Sequence, residues 1–141
     1  MSMTTALPRG AGPALHRRLW IRALVATARL LVLLRPHRLQ QVLRYLSRGA
    51  APASTAAART ARAEVLASSL AMNGPRNCLP RSVAVVLLCR SRGLWPTWCV
   101  GVRVAPPFTA HAWVEAEGEL VGEPGRYDSW ARLITVAPRE D

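Results

Sequence analysis

Apolar residues in the first half of the chain recur with the period of an α-helix. The longest apolar run, Leu19 to Leu34, ends at Arg35-Pro36 because the residue before a proline avoids the helical conformation. A second apolar stripe, a small-residue linker over 49–54 and an alanine-rich stretch follow. This pattern predicts three helices, over residues 14–34, 37–48 and 55–71.

The apolar pattern becomes denser and then changes its period in the second half. Cys78 to Arg92 is predicted to form a fourth helix, which Asn77 caps and Gly93 stops. Every residue from Val83 to Cys89 is apolar, so we expect this helix to be buried nearly all round. Apolar and polar residues then alternate, as in half-buried strands. The predicted strands cover residues 97–104, 108–116 and 119–123, with a candidate fourth at 133–136.

A hairpin turn completes the predicted sheet. Glu117-Gly118 lies between two alternating runs, and a two-residue connection of this kind is typical of a hairpin. Helices followed by a buried helix and an antiparallel sheet predict an α+β fold. We expect two parts: a basic N-terminal helical region over 1–54, and a core over 55–141 that holds the buried helix and the sheet.

The composition fits an ordinary folded domain. The chain has 141 residues, half of them hydrophobic, which excludes wholesale disorder. Its three cysteines are too few for a disulfide framework and suit a reducing compartment, so we expect a cytoplasmic protein. No Cys-x-x-Cys or His-x-x-x-His pair is present, so a structural zinc site is not expected. Four tryptophans are expected in the core or in a substrate groove: Trp95, Trp98, Trp113 and Trp130.

The positive charge belongs to one half of the chain. Residues 1–63 hold eleven arginines and no acid, whereas residues 64–141 hold eight arginines and eight acids. The first half therefore predicts contact with a polyanion, an acidic partner or a membrane surface. Arg22 and Arg29 interrupt the first apolar run, which favours an amphipathic helix over a transmembrane span or a signal peptide. The aromatic residues do not interleave with the arginines, so no nucleic-acid partner is expected.

Cys78 is the candidate nucleophile. It lies at the first turn of the predicted fourth helix, where backbone N–H groups and the positive helix end favour a thiolate and can help hold an oxyanion. A buried structural thiol is the commoner role of a lone cysteine. That role suits Cys89, in the middle of an apolar helix, and Cys99, in the middle of a strand.

His111 is the candidate base, since it lies in a strand between two alanines that leave room for another group to approach the ring. Taken alone, it could equally be an ordinary core or surface histidine. Pairing across the turn places His111 next to Glu123, which can orient the imidazole. Asp128 is the fallback for that role. The other acids near the turn are expected to face solvent: Glu115, Glu117 and Glu119.

Several strings of the second half together point to a family. They are Asn77-Cys78-Leu79-Pro80-Arg81-Ser82 at the helix start, Arg92-Gly93-Leu94 at its end, Gly101-Val102, Ala110-His111-Ala112-Trp113-Val114-Glu115 and Gly118. This combination resembles the lasso-peptide leader peptidases, which are transglutaminase-like cysteine proteases. The resemblance covers about residues 60–135. The length resembles the split form of the enzyme, in which a separate small protein recognises the leader.

The resemblance implies a papain- or transglutaminase-like core over residues 55–141, with Cys78 as catalytic nucleophile and His111 as general base. The family's third residue is usually an aspartate about twelve residues after the histidine, and that position here is Glu123. A glutamate is one methylene longer, but it can still accept a hydrogen bond from Nδ1 of the imidazole. The oxyanion is expected near the N–H of Cys78, with help from Asn77.

The implied activity is removal of the leader peptide from a ribosomally made lasso-peptide precursor, which delivers the core peptide for cyclisation. The implied partners are the precursor peptide, a separate leader-recognition protein and an ATP-dependent lasso cyclase. The thiol chemistry needs no cofactor. The basic half is expected to contact these partners, and contact with a membrane surface is the other option. The alternative function is a catalytically inactive transglutaminase-like scaffold in a peptide-maturation complex.

Overall fold

The structure, a computed structural model, describes residues 11–139. The first ten residues of the predicted region 1–54 and the last two of the predicted core 55–141 lie outside the described residues. The helices are α1 (Ala11–Leu31), α2 (Pro36–Ser47), α3 (Thr55–Ser68) and α4 (Cys78–Ser91). The strands are β1 (Ala51–Pro52), β2 (Leu94–Trp95), β3 (Thr97–Arg103), β4 (Ala110–Ala116), β5 (Glu119–Leu120) and β6 (Trp130–Val136).

Local hydrogen bonds decide where the helices begin and end. α1 starts and ends earlier than predicted. Its end tightens, and the N–H groups of Leu33 and Leu34 donate to carbonyl oxygens three residues back. α3 begins as predicted, after a Ser54 cap whose hydroxyl oxygen accepts from the Ala57 N–H at 3.1 Å. α3 is also shorter than predicted, and two 3₁₀ turns carry the chain on to α4: Leu70–Asn73 and Pro75–Asn77.

Asn77 is the N-cap residue of α4, as predicted, but its side chain makes no capping hydrogen bond. The residue closes the 3₁₀ turn before the helix, and its side-chain amide donates to the Ala71 carbonyl oxygen at 2.5 Å. The prediction for the other end of the helix is confirmed. Gly93 follows α4 with φ +79°, the left-handed conformation that is common just after a helix.

β3, β4, β5 and β6 form one antiparallel sheet in the order β5–β4–β3–β6, and with the four helices they confirm the predicted α+β fold. β6 begins earlier than predicted, at Trp130, because it pairs with β3 along its whole length. β5 is shorter than predicted. β1 and β2 form a two-residue parallel pair that the sequence pattern does not predict, because strands this short have no readable period.

The predicted hairpin between β4 and β5 is confirmed. Glu117 and Gly118 both have positive φ, +53° and +76°, as a two-residue type I′ turn requires. The turn pairs Ala116 with Glu119, the first residue of β5. The chain beyond β5 therefore runs back beside β4, toward the start of that strand.

α4 is the centre of the hydrophobic core. Every residue from Ser82 to Cys89 is buried, as the unbroken apolar run predicts. α1, α3 and β4 all contact α4, and Ile21 of α1 and Leu43 of α2 belong to the same hydrophobic cluster as the α4 side chains. The two predicted parts of the chain share this cluster, and their division after residue 54 stays a prediction.

Gly101 lets β6 approach β3 closely. The pairing of the two strands is irregular between Val100 and Gly101. A Cβ at Gly101 would overlap the Ala131 carbonyl oxygen and lie 3.0 Å from the Trp113 ring, so a side chain there would force the strands apart. Gly101 is also the register partner of His111. The absence of a side chain at this position lets the Ala131 carbonyl and the Trp113 ring lie against the backbone beside the histidine.

Candidate active site

Cys78 is the first residue of α4, and its side chain is partly buried at the helix start. The His111 imidazole and the backbone of Ala112, both of which belong to β4, lie near enough to the thiol to lower its pKa. Contact between β4 and α4 brings these groups together. The helix start and the sheet therefore meet at the Cys78 sulfur.

The His111 ring lies between this thiol and a carboxylate. Its Nε2 atom is 2.5 Å from Oε1 of Glu123, which leaves Nδ1 as the nitrogen available to Cys78. The expectation that the carboxylate accepts a hydrogen bond from Nδ1 is therefore wrong. Strand pairing predicts that the two residues are close, but it does not fix which ring nitrogen faces the carboxylate.

Glu123 is held between the histidine and a cation. Its side chain is 8 % exposed, and its Oε2 atom lies 3.8 Å from Nη2 of Arg62 in α3. Asp128, the fallback residue, is exposed in a 3₁₀ turn after β5. The structure thus brings Cys78, His111 and Glu123 together and leaves Asp128 outside the group. No sequence signal marks Arg62, because its contact depends on how α3 packs.

The Cys78 thiol and the His111 imidazole shift each other's pKa. The hydrogen bond with His111 is the largest effect on the pKa of Cys78 and lowers it, against the opposing effect of burial; Arg81 lowers it further. Hydrogen bonds with Cys78, and then with Glu123, raise the pKa of His111 to about 9. A lowered thiol pKa beside a raised imidazole pKa favours a thiolate–imidazolium pair at neutral pH.

The other two cysteines are in different surroundings. Cys89 lies in the middle of α4 and Cys99 in β3, and both are buried, as predicted. Burial raises the pKa of Cys89 to about 11 and that of Cys99 to about 12. These thiols stay protonated at neutral pH and contribute to packing.

Arg81 holds the loop in front of Cys78. Its Nη1 atom donates to the carbonyl oxygens of Met72 and Gly74, at 2.9 and 3.3 Å. The Asn77 amide nitrogen is engaged within the same loop. The N–H of Cys78 is therefore the better placed of the two predicted oxyanion donors. Arg81 belongs to one of the strings that carry the family resemblance, but sequence reasoning assigned it no role.

Two tryptophans stack against the His111 ring. The Trp113 ring is 6.0 Å away between centroids, with 16° between the planes, and the Trp130 ring is 5.2 Å away. The two indole rings are 5.3 Å apart. These contacts restrict rotation of the imidazole, and aromatic faces also stabilise a nearby cation. The imidazolium form of His111 is thus supported by packing as well as by its hydrogen bonds.

Glu115 lies beside this aromatic group and is buried, so the expectation that it faces solvent is wrong. Its Oε2 atom accepts hydrogen bonds from Trp113 Nε1 at 2.8 Å and from Arg132 Nε at 2.7 Å. The missed signal is strand alternation, since His111, Trp113 and Glu115 are two residues apart and share one face of β4. The two other acids of the turn are exposed, as expected: Glu117 and Glu119.

Arg132 connects β6 with β4 and with the turn before β6. Its guanidinium donates to the carbonyl oxygens of Trp130 and Tyr127, both at 3.0 Å, as well as to Glu115. It also lies 3.8 Å from the centroid of the Tyr127 ring and 5.7 Å from that of the Trp113 ring. One side chain thus fixes the start of the strand that carries Trp130. We call Trp113, Trp130, Glu115 and Arg132 the supporting cluster.

Of the four tryptophans expected in the core or in a substrate groove, three lie in the core and one borders a cleft. Trp95, Trp98 and Trp113 are in the core, each at most 1 % exposed. Trp130 is partly exposed and borders a cleft of about 220 Å³. Its Nε1 atom is buried without a hydrogen-bond partner among the described residues. The cleft is lined by Arg103, Thr109, Pro124, Gly125, Ser129 and Trp130.

The side chains gathered here fit thiol chemistry. A thiol, an imidazole and a carboxylate in hydrogen-bonded order can activate sulfur for attack on a carbonyl carbon. Within residues 11–139, no three His, Cys, Asp or Glu side chains are grouped so that they could hold a metal ion. That the reaction needs no cofactor stays a prediction.

Comparison with known protein families gives a match that covers most of the chain. A sequence profile described as the transglutaminase-like superfamily matches residues 21–135. The matched stretch runs from α1 to β6 and includes Cys78, His111 and Glu123. No protein of curated function and no solved structure gives a significant match.

Proposed function

The chain belongs to the transglutaminase-like superfamily, and we propose that it is a cysteine peptidase that removes the leader peptide from a lasso-peptide precursor. The observation that carries the proposal is the His111 imidazole, which hydrogen-bonds the Glu123 carboxylate and lowers the pKa of the neighbouring Cys78 thiol. The geometry and the superfamily support the peptidase class. The resemblance of the strings around Cys78 and His111 to lasso-peptide leader peptidases supports the narrower substrate.

In the proposed reaction, the thiolate of Cys78 attacks the carbonyl carbon of the peptide bond between leader and core. The carbonyl oxygen becomes an oxyanion near the N–H of Cys78. The His111 imidazolium then gives its proton to the leaving amine, and the C–N bond breaks. The core peptide departs with a free N-terminus, and the leader remains as a thioester on Cys78.

Hydrolysis of the thioester regenerates the enzyme. Neutral His111 takes a proton from water as the water oxygen attacks the thioester carbon. The second tetrahedral intermediate expels the Cys78 thiolate, and the leader leaves with a free carboxylate. Glu123 accepts the hydrogen bond from Nε2 throughout, so its role is to orient the ring and to stabilise the charge on it.

The cleft beside Trp130 is the proposed binding site for residues next to the scissile bond. It adjoins the His111 ring, because the Trp130 ring that borders it lies 5.2 Å from the imidazole. Its lining offers hydroxyl groups and the backbone of Gly125, with Arg103 as a cation. Such a lining suits an extended peptide that binds through its main chain, with Arg103 available to an acidic side chain.

The proposed partners follow from the same resemblance. The precursor peptide, a separate leader-recognition protein and an ATP-dependent lasso cyclase meet this protein in the cytoplasm, without a cofactor and without nucleic acid. The part over 55–141 performs the chemistry, and the basic region over 1–54 contacts the partners. The chain has eleven arginines and no acid up to residue 63, and this positive charge suits an acidic leader.

The test is cleavage of a lasso-peptide precursor by the purified protein, with the recognition protein present, followed by mass spectrometry of the fragments. We expect one leader fragment with a free carboxylate and one core fragment with a free N-terminus. Cys78→Ala should abolish both products. Cys89→Ala, which changes a buried thiol outside the group, should keep them.

Three outcomes separate the possibilities. Undiminished cleavage by the Cys78→Ala protein would overturn the peptidase proposal. Cleavage of a different class of ribosomal precursor, with none of the lasso precursor, would keep the peptidase and reject its substrate. A folded protein that cleaves nothing but is needed for the recognition protein and cyclase to assemble would be the inactive scaffold.

A further inference from the structure

α1 presents apolar side chains to solvent on the face opposite the core. Its inner face carries Ile21, Val25 and Ala28, each at most 6 % exposed. Helical spacing places another set of leucines on the opposite face. They are Leu15 and Leu19 (both 55 % exposed), Leu30 (68 %) and, in the turn just after α1, Leu33 (79 %). We call these four leucines the outer stripe.

Positive charge borders the outer stripe. Arg18 and Arg29 are exposed and follow the helix along one side of it, and Arg22 lies between them, with its Nε donating to the Ser68 carbonyl oxygen at 3.2 Å. Trp20, 51 % exposed, lies on the other side. Residues 1–63 contain no acidic side chain. Monomeric proteins seldom leave a continuous apolar surface of this kind uncovered, so the stripe indicates a docking face.

We propose that the outer stripe docks α1 on the surface of an anionic lipid bilayer, with the helix axis in the plane of the membrane. The leucines enter the boundary between headgroups and acyl chains, and the bordering guanidinium groups reach the lipid phosphates. The Trp20 indole donates to Ser91 Oγ at 3.4 Å and leaves part of its apolar ring exposed beside the stripe, where it can enter the same boundary. No helix within residues 11–139 has the length and apolar character that crossing a membrane requires.

The charge pattern favours a lipid surface over an acidic protein. In a specific protein interface, complementary charges at fixed places set how the two partners align. The charged residues that border this stripe are all arginines. An anionic bilayer requires no fixed arrangement of charges on its partner, and it attracts any basic surface that comes within a Debye length. The neighbouring helix extends this acid-free surface with a cleft of about 540 Å³ lined by Leu34, His37, Arg38, Gln41, Val42 and Tyr45.

The test is flotation of the protein with lipid vesicles. The probes are vesicles of phosphatidylcholine with about one third phosphatidylglycerol, and vesicles of phosphatidylcholine alone. We expect binding to the anionic vesicles that weakens at least about threefold in ~0.5 M salt. Trp20 emission should shift to the blue on binding, and Trp20→Phe should remove the shift, because Trp95, Trp98 and Trp113 are already buried.

A matched pair of double variants separates the outer stripe from net charge. Leu30→Glu with Leu33→Glu puts two acids into the stripe. Leu70→Glu with Leu133→Glu puts two acids on leucines elsewhere that are 87 % and 69 % exposed. The stripe variant should bind at least about tenfold more weakly than the matched variant, because it also loses apolar burial. Thermal unfolding of both variants checks that they fold.

Several results would overturn the proposal. One is equal weakening in the two double variants, which would mean that net charge alone acts. Another is a wild-type protein that does not float with the anionic vesicles. A third is an acidic partner protein that protects the outer stripe while vesicles do not, which would assign this face to a protein. Vesicle binding is measured without a precursor, and precursor cleavage is measured without lipid, so failure of this test and failure of the peptidase test are distinguishable.

Discussion

A cysteine at the start of α4 and two cysteines in the interior of the molecule have pKa values shifted in opposite directions. At the helix start, Cys78 meets the His111 ring and has a lowered pKa. In the middle of the same helix, burial raises the pKa of Cys89 to about 11, and in β3 it raises that of Cys99 to about 12. Burial acts in the same direction on all three thiols. The difference therefore comes from the partners that each sulfur has.

The groups with the largest lowering effects on the pKa of Cys78 belong to the sheet, not to the helix that carries the thiol. The largest cause of the lowered pKa of Cys78 is a hydrogen bond with a residue of β4, and the Ala112 backbone of the same strand adds to it. A cysteine at the start of an undocked helix would lack both partners. Reactivity at Cys78 is thus a property of the packing between α4 and the sheet.

The largest expected effect is selective alkylation of Cys78. An ordinary thiol, with a pKa of about 8.5, hardly reacts with iodoacetamide near pH 6. The thiolate fraction of Cys78 should exceed that of Cys89 at least about 10²-fold there, because their pKa values lie on opposite sides of the ordinary one. Peptide mapping after brief labelling measures the ratio. Equal labelling of Cys78, Cys89 and Cys99 in folded protein would remove the distinction between the two regions.

The next largest effect is expected from His111→Ala. This change removes the largest contribution that lowers the pKa of Cys78 and leaves burial, which raises it. A rise of one unit reduces the thiolate fraction tenfold, so labelling near pH 6 should fall at least about tenfold. Precursor cleavage should fall at least as far as the labelling does. His37→Ala, at an exposed position of α2, is the control, and undiminished labelling of His111→Ala would attribute activation to the helix start alone.

Glu123→Gln should have a smaller effect on the cleavage rate. The direction in which the pH profile shifts follows from the change in the His111 pKa. The pKa of His111 is raised to about 9 in part by its hydrogen bond and charge interaction with Glu123, so it should fall in the variant. The imidazolium must protonate the leaving amine, so cleavage is lost as pH rises through this pKa. The alkaline limb of the rate profile should therefore move to lower pH, and the rate should drop about 10- to 10²-fold.

Asp128→Asn is the matched control for Glu123→Gln, because it removes the same charge from an exposed neighbour. Its rate should stay within about twofold of wild type. A larger loss in Asp128→Asn than in Glu123→Gln would transfer the orienting role to the aspartate. It would also mean that the hairpin changes its position when substrate binds.

Arg132→Lys should have the smallest effect. Lysine keeps the charge but lacks the planar fork that joins Glu115 to the Trp130 and Tyr127 carbonyl oxygens. The supporting cluster touches the His111 ring and none of the reacting atoms, so kcat/KM should fall about 3- to 10-fold while the pH profile keeps its shape. The exposed Arg126→Lys is the control. A shifted pH profile would show that the cluster sets the charge on His111 as well as its position.

Local signals predicted the parts of the fold that depend on neighbouring residues. The unbroken apolar run from Val83 to Cys89 predicted a helix buried all round, and Glu117-Gly118 predicted the hairpin with the correct turn length. Because the turn length fixes which residues face each other, the nearness of His111 and Glu123 followed from the sequence. The overall α+β order followed from the change of period.

The features that sequence reasoning missed all depend on packing between distant elements. Glu115 has a cationic partner because β6 brings Arg132 past Gly101 to the same face of the sheet. Arg62 meets Glu123 only because α3 packs near the hairpin. The ring nitrogen that faces the carboxylate depends on a side-chain rotamer of His111. Strand alternation places Glu115 on the His111 face of β4, but the Arg62 contact and the ring orientation have neither a periodic pattern nor a local motif in the chain.

The hairpin that joins β4 and β5 also orders the assembly of the site during folding. His111 and Glu123 belong to one hairpin, and isolated hairpins form within about 1–10 μs. Cys78 joins them only when the sheet docks on α4, a contact between distant parts of the chain that closes a longer loop and forms more slowly. A chain that is still leaving the ribosome therefore carries an unactivated thiol. The protein acquires its reactive sulfur only after folding, which spares nascent chains from oxidation and alkylation at this residue.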